Sequence, residues 1–210
     1  MARRVVVTGL GGLCATGADV AEFWANAKRG HCGISRRTLM AGEDYSITLP
    51  IAPIDGFEAR VESLGREMTR ADRFTQLAVA AADEAVKDSG VDFAGGLGER
   101  TAAIIGTGIG GQTTFDAAYL AMLKHGKKPH PLSILKIIPN APASHLSIRF
   151  GLRGPAFAIS SACASGAHSI GVAADLIRFG TADAALAGAS EALLTYGAME
   201  TWKAMHIMSD

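Results

Sequence analysis

Apolar segments of two lengths alternate along the chain and predict an α/β protein. Short apolar runs of strand length occur at residues 3–9, 100–108, 155–160 and 183–190. Longer segments with helical spacing occur at residues 19–29, 71–87, 112–124, 141–149 and 165–179. Strands that alternate with helices favour a mostly parallel sheet that is covered by helices on both faces.

Local signals mark the ends of several predicted elements. Asp19, with Glu22 three positions later, is the start of a capping box, and Gly30 ends the same helix. Ser89 and Gly90 mark the end of the helix predicted over residues 71–87. Residues 31–57 contain Gly, Pro and short apolar runs, which indicate irregular structure or a hairpin. Residues 126–142 contain four prolines and predict a loop or a segment that crosses between elements.

The composition excludes several classes of function. The chain has 210 residues, is 49% hydrophobic, and has 20 basic and 20 acidic residues, so neither nucleic acid nor a membrane is predicted as a partner. Its cysteines, Cys14, Cys32 and Cys163, are odd in number and lack CxxC spacing, which favours a reducing, cytoplasmic setting without a metal site. The apolar run Val5–Val7 is too short for a signal peptide. No linker divides the chain, so one domain is predicted over residues 1–210.

The segment GTGIGG has the spacing of a nucleotide-binding turn. Gly106, Gly108 and Gly111 form a G-x-G-x-x-G pattern between a predicted strand and a predicted helix. The acidic residue that such sites place about 20 positions later is missing, because that region reads KHGKKPHP. We therefore interpret the pattern as a tight turn with close backbone packing, and no cofactor is predicted.

Cys163 lies where a predicted strand meets a predicted helix, among Ser, Ala and Gly residues. Free cysteines are most often buried and act as small hydrophobic residues. Here, however, a helix N-terminus offers N–H groups and a positive dipole end, which favour a thiolate and can form an oxyanion hole. The small neighbours also leave the sulfur open to an acyl group. The position is typical of an acyl-transfer nucleophile.

His168 follows on the same predicted helix, five residues after Cys163. That offset places the imidazole about 140° around the helix from the cysteine, so a buried, hydrogen-bonded histidine is favoured over a base for the thiol. The helix carries no charge from Ala162 to Ala174 and is predicted to be buried on all sides. A thiol acyltransferase or hydrolase, with His168 or His145 as its base, stays open as an alternative.

The segment SSACASGAHSIG around Cys163 resembles the active-site segment of the elongating β-ketoacyl-[acyl-carrier-protein] synthases, the condensing enzymes of fatty-acid and polyketide synthesis. Other segments resemble the family in the same order along the chain: RRVVVTGLGGL, GTGIGG, HLSIRFGLRGP and ADAALAGASEA. The resemblance spans essentially the whole chain. It implies a thiolase-like fold of two similar α/β halves, of which residues 1–210 represent the N-terminal half.

The resemblance also implies a reaction and site residues. Cys163 would accept the acyl chain of an acyl-carrier-protein thioester. Malonyl carrier protein would then lose CO2 and condense with the acyl-enzyme to give a β-ketoacyl product. Ile109 would wall the acyl pocket and Trp202 would face it, and neither a metal nor a cofactor is implied.

The implied partners are an acyl carrier protein and a second copy of the chain or a companion chain that supplies the second half. Carrier proteins are acidic in general, so a basic surface patch is expected to receive one. Two clusters of basic residues are candidates: Arg66, Arg70 and Arg73, or Lys124, Lys127 and Lys128.

One departure from the family limits what the resemblance implies. The family's two catalytic histidines, one in an HGTGT-like motif, and its lysine belong to the second half, and this chain contains no HGTGT segment. The chain is therefore expected to carry the nucleophile without the decarboxylation machinery, as a fragment, a truncated product or one part of a split enzyme. A non-catalytic partner resembling a chain-length factor stays open as an alternative, although such relatives typically lack the cysteine.

Overall fold

The computed structural model describes residues 3–209, so residues 1, 2 and 210 of the predicted domain lie outside the described residues. The strands are β1 (Ser35–Ala41), β2 (Tyr45–Ile51), β3 (Thr101–Gly106), β4 (Ala156–Ile159) and β5 (Ala184–Ala189). The α-helices are α1 (Val20–Lys28), α2 (Phe57–Ser63), α3 (Arg73–Ser89), α4 (Gln112–His125), α5 (Ser133–Ile137), α6 (Ala141–Phe150), α7 (Ser165–Arg178) and α8 (Tyr196–Ala204). Among these described helices, none combines the length and the apolar character that crossing a membrane requires.

The central sheet has three parallel strands in the order β4–β3–β5. All six residues of β3 are buried, which is typical of a central parallel strand that is covered on both faces. Ala103 and Ile105 pack against α3 and α6, whereas Ala102 and Ile104 pack against α7. Because side chains alternate along a strand, the helices lie on both faces of the sheet, as predicted.

The segment predicted as irregular structure or a hairpin is an antiparallel hairpin of β1 and β2. Ile47, Leu49 and Ile51 alternate along β2 and are buried against Ala198 and Met199 of α8. The period-2 burial of β2 follows from one face of the hairpin being covered and the other being open.

Several predicted helix ends are confirmed. Asp19 is the N-cap of α1 and accepts a hydrogen bond from Glu22 N–H at 2.7 Å. Gly90 ends α3 in the left-handed conformation that glycine adopts without steric cost. Three of the described helices were not predicted: α2, α5, which lies inside the proline-rich segment, and α8. α2 and α5 are short, at 7 and 5 residues, and short helices give a weak periodic signal.

The N-terminal segment at residues 3–9 was predicted as a strand, and this prediction is wrong. Within the described residues it pairs with no strand, and Val6 and Val7 are exposed. A strand gains its hydrogen bonds only from a neighbouring strand, and the described part of the chain offers none to this segment. An ion pair holds its beginning instead, between Arg3 and Asp183 at 2.7 Å.

Asp183 joins the N-terminal segment to the start of β5. Its carboxylate accepts from Arg100 Nε at 2.6 Å and from Arg3 Nη1 at 2.7 Å. Hydrogen bonds from these guanidinium groups, from Arg100 first, lower the pKa of Asp183 to about 2. The group is exposed, so salt screens the interaction and its contribution to stability is modest.

Helix α7 is buried on one face only, so the prediction that it is buried on all sides is wrong. Ser165, Ser169 and Ala173 are buried at a four-residue spacing, which is one stripe of a helix. Ile170 lies off this stripe and is 54% exposed. The uncharged outer side of α7 is exposed, because nothing within residues 3–209 packs against it.

Asp72 is a buried carboxylate that joins the first turns of two helices. It is the N-cap of α3, where its Oδ1 accepts from Phe74 N–H at 3.2 Å. Its Oδ2 accepts from Thr113 Oγ1 and from Thr114 N–H, both at 2.7 Å, at the start of α4. One negative charge therefore satisfies donors at the positive ends of two helices.

Asp72→Ala is expected to lower the free energy of unfolding by about 2 kcal/mol, because it removes an N-cap and leaves two partly buried donors of α4 without their acceptor. Asp19→Ala is the matched control. It removes the exposed cap of α1 and is expected to cost about 1 kcal/mol. Urea unfolding followed by circular dichroism measures both losses. Equal losses would mean that the link from α3 to α4 adds nothing to an ordinary cap.

Candidate active site

Cys163 lies in the short turn between β4 and α7, and its side chain is exposed. β4 ends at Ile159 and the 14-residue helix α7 begins at Ser165. The predicted position at a strand–helix junction is confirmed. The alternative of a buried cysteine that acts as a small hydrophobic residue is contradicted.

The backbone of this turn is strained at the residue before the cysteine. Ala162 has a φ of 51°, in the left-handed region that costs a residue with a side chain about 1–2 kcal/mol. Ala164 N–H donates to Ser161 O at 3.1 Å, and Ser165 N–H donates to Ala162 O at the same distance. Because these two amides already have acceptors within the turn, only other backbone N–H groups of the turn can form the predicted oxyanion hole.

A close backbone approach places the start of α7 directly on β3. A Cβ atom at Gly106, the last residue of β3, would lie 2.5 Å from Ser165 O and 2.8 Å from Ser169 Oγ. Both distances are far below van der Waals contact, so only glycine allows this approach. The first turn of α7, and the cysteine before it, are therefore positioned by the central strand of the sheet.

The glycine-rich loop after β3 lies against the cysteine turn. A Cβ atom at Gly108 would be 3.9 Å from Ala162 Cα, and Ser160 Oγ donates to Gly108 O at 3.2 Å. Ile109 is the next residue and is 49% exposed. The fold therefore brings the loop that carries Ile109 to the turn that carries the cysteine.

Glu191 holds the same loop from the end of β5. Its Oε2 accepts from Gly108 N–H at 2.6 Å, and its two oxygens accept from Thr107 Oγ1 at 3.2 and 3.3 Å. Thr107 Oγ1 accepts in turn from Gly110 N–H at 3.0 Å. No role was predicted for Glu191 from the sequence. The available signal was a carboxylate that directly follows the predicted strand 183–190.

The contacts of the loop support a tight turn and not a nucleotide site. A Cβ atom at Gly110, where φ is 95°, would lie 2.7 Å from Ile137 O, so the loop backbone packs directly on α5. Gly111 N–H also donates to Ile137 O at 3.0 Å. A phosphate-binding loop needs free amides, whereas the N–H groups of Gly108, Gly110 and Gly111 already have acceptors.

A family comparison covers nearly the whole chain. Residues 2–210 match the family described as "Beta-ketoacyl synthase, N-terminal domain".

The chain belongs to the β-ketoacyl synthase family.

Individual relatives agree with this β-ketoacyl synthase assignment. The chain is 37% identical over 208 residues to "3-oxoacyl-[acyl-carrier-protein] synthase 2" of Staphylococcus aureus (strain N315), covering 99% of this chain and 50% of the relative. A solved β-ketoacyl synthase from Burkholderia phymatum STM815 is 32% identical with a TM-score of 0.81, covering 100% of this chain and 51% of that one. A ketosynthase solved in complex with a type II PKS acyl-carrier protein is 28% identical with a TM-score of 0.78, covering 98% and 49%.

The β-ketoacyl synthase chain spans about half the length of the relatives that it matches. The likeness confirms the predicted α/β class and the N-terminal half of the thiolase-like ketosynthase fold. It also explains why the outer side of α7 lacks cover within the described residues.

Neither of the two histidines that were considered as a base is placed to deprotonate the Cys163 thiol. His168 Nδ1 lies 2.6 Å from Ser161 Oγ, so the predicted hydrogen bond is present, but the residue is exposed and the predicted burial is wrong. His145 lies on α6, which packs on the face of the sheet opposite α7. Burial lowers the pKa of His145, and the charge of Glu67 opposes that shift.

The predicted pocket residues lie in different parts of the β-ketoacyl synthase chain. Ile109 is in the loop beside the cysteine turn. Trp202 packs with the cluster formed by the β1–β2 hairpin and α8. Their roles toward an acyl chain stay predictions. Within residues 3–209, no three His, Cys, Asp or Glu side chains are grouped as ligands of a metal ion.

Gly106→Ala is expected to lower the free energy of unfolding by about 1–3 kcal/mol, because the new Cβ would overlap with the backbone of Ser165 and push α7 off β3. Gly171→Ala is the matched control within α7. A Cβ atom there meets nothing within 4 Å, so the change is expected to raise stability by up to about 1 kcal/mol through helix propensity. Chemical unfolding of both variants tests the close approach, and an undisturbed Gly106→Ala protein would contradict it.

Proposed function

We propose that this chain performs the acyl-accepting step of a β-ketoacyl-[acyl-carrier-protein] synthase, with Cys163 as the nucleophile. The observation that carries the proposal is the exposed thiol on a strained turn at the start of α7. A helix N-terminus stabilises negative charge on sulfur and on an adjacent oxyanion. The relative named 3-oxoacyl-[acyl-carrier-protein] synthase 2 supports the substrate class.

In the proposed first step, Cys163 Sγ attacks the carbonyl carbon of an acyl-carrier-protein thioester. Backbone N–H groups of the turn stabilise the oxygen of the tetrahedral intermediate. The bond from the carbonyl carbon to the carrier's sulfur then breaks, and the departing thiolate takes the proton lost by the cysteine. The acyl chain is left as a thioester on Cys163, with Ile109 and Trp202 proposed as pocket residues.

In the proposed second step, malonyl carrier protein loses CO2, and the carbanion formed attacks the carbonyl carbon of the acyl-enzyme. Cys163 leaves as a thiolate, and the β-ketoacyl product stays on the carrier. Because the chain spans about half of its relatives, we propose that a companion polypeptide, or the remainder of a longer protein, supplies the groups that assist decarboxylation. Pairing with a second copy through β4, an edge strand of the described sheet that leads to Cys163, belongs to the same proposal. The free thiols of Cys14, Cys32 and Cys163 support a reducing, cytoplasmic setting.

Acyl transfer can be tested by incubating the 210-residue chain with octanoyl carrier protein and weighing the intact protein. We expect a mass increase of one octanoyl group that peptide mapping assigns to Cys163, and no β-ketoacyl product after malonyl carrier protein is added. Cys163→Ala is expected to abolish the increase. Cys32→Ala removes another exposed thiol and is expected to leave it unchanged.

A parent chain that takes up no acyl group would contradict the proposal and favour a non-catalytic, chain-length-factor-like role. An acyl group that persists in Cys163→Ala would place the nucleophile elsewhere. Product formed by this chain alone would show that no companion is needed.

The proposed carrier-docking surface borders a cleft of about 400 Å³ that lies beside one of the two basic clusters. Lys127, Lys128 and Lys136 line this cleft, and its other lining residues include Ala71, which follows Arg70 in the chain. One member of each cluster is engaged elsewhere, because Arg73 pairs with Glu58 and Lys124 pairs with Asp44. The exposed members are therefore the candidates for an acidic carrier: Arg66, Arg70, Lys127 and Lys128.

The double variant Lys127→Glu/Lys128→Glu is expected to weaken binding of an acidic carrier protein about tenfold at low salt, with a smaller effect as salt rises. Lys28→Glu/Lys87→Glu makes the same charge change at exposed positions on α1 and α3 and serves as the control. Fluorescence anisotropy of a labelled carrier measures the dissociation constants. Equal weakening by both double variants would mean that net charge, and not this surface, governs docking.

A further inference from the structure

The hydroxyl of Ser165 lies beneath the cysteine turn and is bonded to both of the residues that shape it. Ser165 is 3% exposed. Its Oγ accepts from Ser161 N–H at 2.9 Å and donates to Ala162 O at 2.7 Å. One buried side chain thus links the amide at the start of the turn to the carbonyl of the strained residue.

These bonds act on the residue whose conformation directs the cysteine. Ala162 has a positive φ, and such a conformation persists only where its surroundings fix it. Ala162 O receives two hydrogen bonds, one from Ser165 N–H at 3.1 Å and one from Ser165 Oγ. The backbone bond is common to many turns. The side-chain bond is the additional constraint, and it comes from Ser165 alone.

Ser165 is itself fixed by the central strand. Its carbonyl oxygen lies against Gly106, where a Cβ atom would be only 2.5 Å away. Its Oγ also lies 3.3 Å from Thr107 O, directly after β3. The position of the hydroxyl is therefore set by β3, which is buried on both faces. Through its hydrogen bonds to Ser161 and Ala162, the hydroxyl in turn fixes the position of the cysteine turn.

We infer that Ser165 is a positioning residue for acyl transfer to Cys163. Its hydroxyl holds Ala162 in the left-handed conformation. The Cys163 sulfur then faces the carbonyl carbon of the thioester, while backbone N–H donors of the turn face its carbonyl oxygen. Ser165 does not touch the substrate. The inference rests on the proposed acyl-transfer function and adds to it a residue for which no role followed from the sequence.

Two reactions of the Cys163 sulfur distinguish a loss of alignment at the turn from a general loss of structure around it. Acyl transfer from a thioester requires the sulfur and an oxyanion donor to be aligned on one carbonyl group. Alkylation by iodoacetamide forms a bond from sulfur to a methylene carbon, expels iodide and releases the thiol proton to the buffer. It develops no oxyanion, so it reports exposure and reactivity of the thiol without the alignment.

The experiment compares Ser165→Ala with Ser169→Ala in the full 210-residue chain. Ser169 is also buried, and its Oγ donates to Ser165 O at 2.8 Å within α7, so its removal deletes a hydroxyl of the same helix and leaves the bonds of Ser165 Oγ to Ser161 and Ala162 in place. Octanoyl N-acetylcysteamine and iodoacetamide are the two probes, and peptide mapping by mass spectrometry follows the label on Cys163.

For Ser165→Ala we expect the rate of octanoyl transfer to fall about tenfold or more, while alkylation by iodoacetamide stays within about twofold of the parent. For Ser169→Ala we expect both rates to match the parent. Transfer at the parental rate in Ser165→Ala would overturn the inference. Equal loss of both reactions would overturn it too, because the hydroxyl would then support the fold and not the alignment.

The two levels of the proposal fail in different ways. If the parent chain takes up no octanoyl group from either the thioester or a carrier protein, the proposed function fails. If the parent is acylated and Ser165→Ala is acylated equally fast, only the role of Ser165 fails. Thermal unfolding of each variant, followed by circular dichroism, confirms that the rates are compared between folded proteins.

Discussion

The contact between the backbone of β3 and the first turn of α7 is the constraint on which the site depends. No side chain separates Gly106 from Ser165, so the start of the helix rests on the strand itself. β3 is in turn hydrogen-bonded on both edges and buried on both faces. The position of Cys163 is therefore set by the most constrained element of the described chain, although the cysteine is in an exposed turn. A reactive group on a turn gains a fixed position in this way without being buried.

Features encoded by neighbouring residues could be predicted from the sequence. The apolar run at 100–108 contains β3, the cap residue Asp19 starts α1, and Gly90 ends α3, because periodicity and caps act within a few positions. The junction that carries Cys163 was predicted for the same reason, since strand, turn and helix follow directly along the chain. The order of the elements then sufficed for the parallel sheet.

Features that depend on distant contacts could not be predicted. Glu191 and Gly108 are 83 residues apart, and Asp72 and Thr113 are 41 residues apart, so no local pattern joins them. Two of the wrong predictions share one cause. A strand at residues 3–9 and complete burial of α7 both assume a neighbouring surface, and the described half of the family's fold does not provide it. The apolar residues of these two segments match surfaces that would be buried by the other half of the fold and that this half leaves exposed.

The loop after β3 has one further consequence. Its amides already donate to Glu191, Thr107 and Ile137, and its backbone lies in contact with α5. A ligand that arrives beside it would therefore restrict few additional torsions, and little conformational entropy would be lost on binding. In the proposed acyl-transfer function, the choice among acyl chains beside this loop would then depend on the volume and shape of the Ile109 side chain and not on a closing movement.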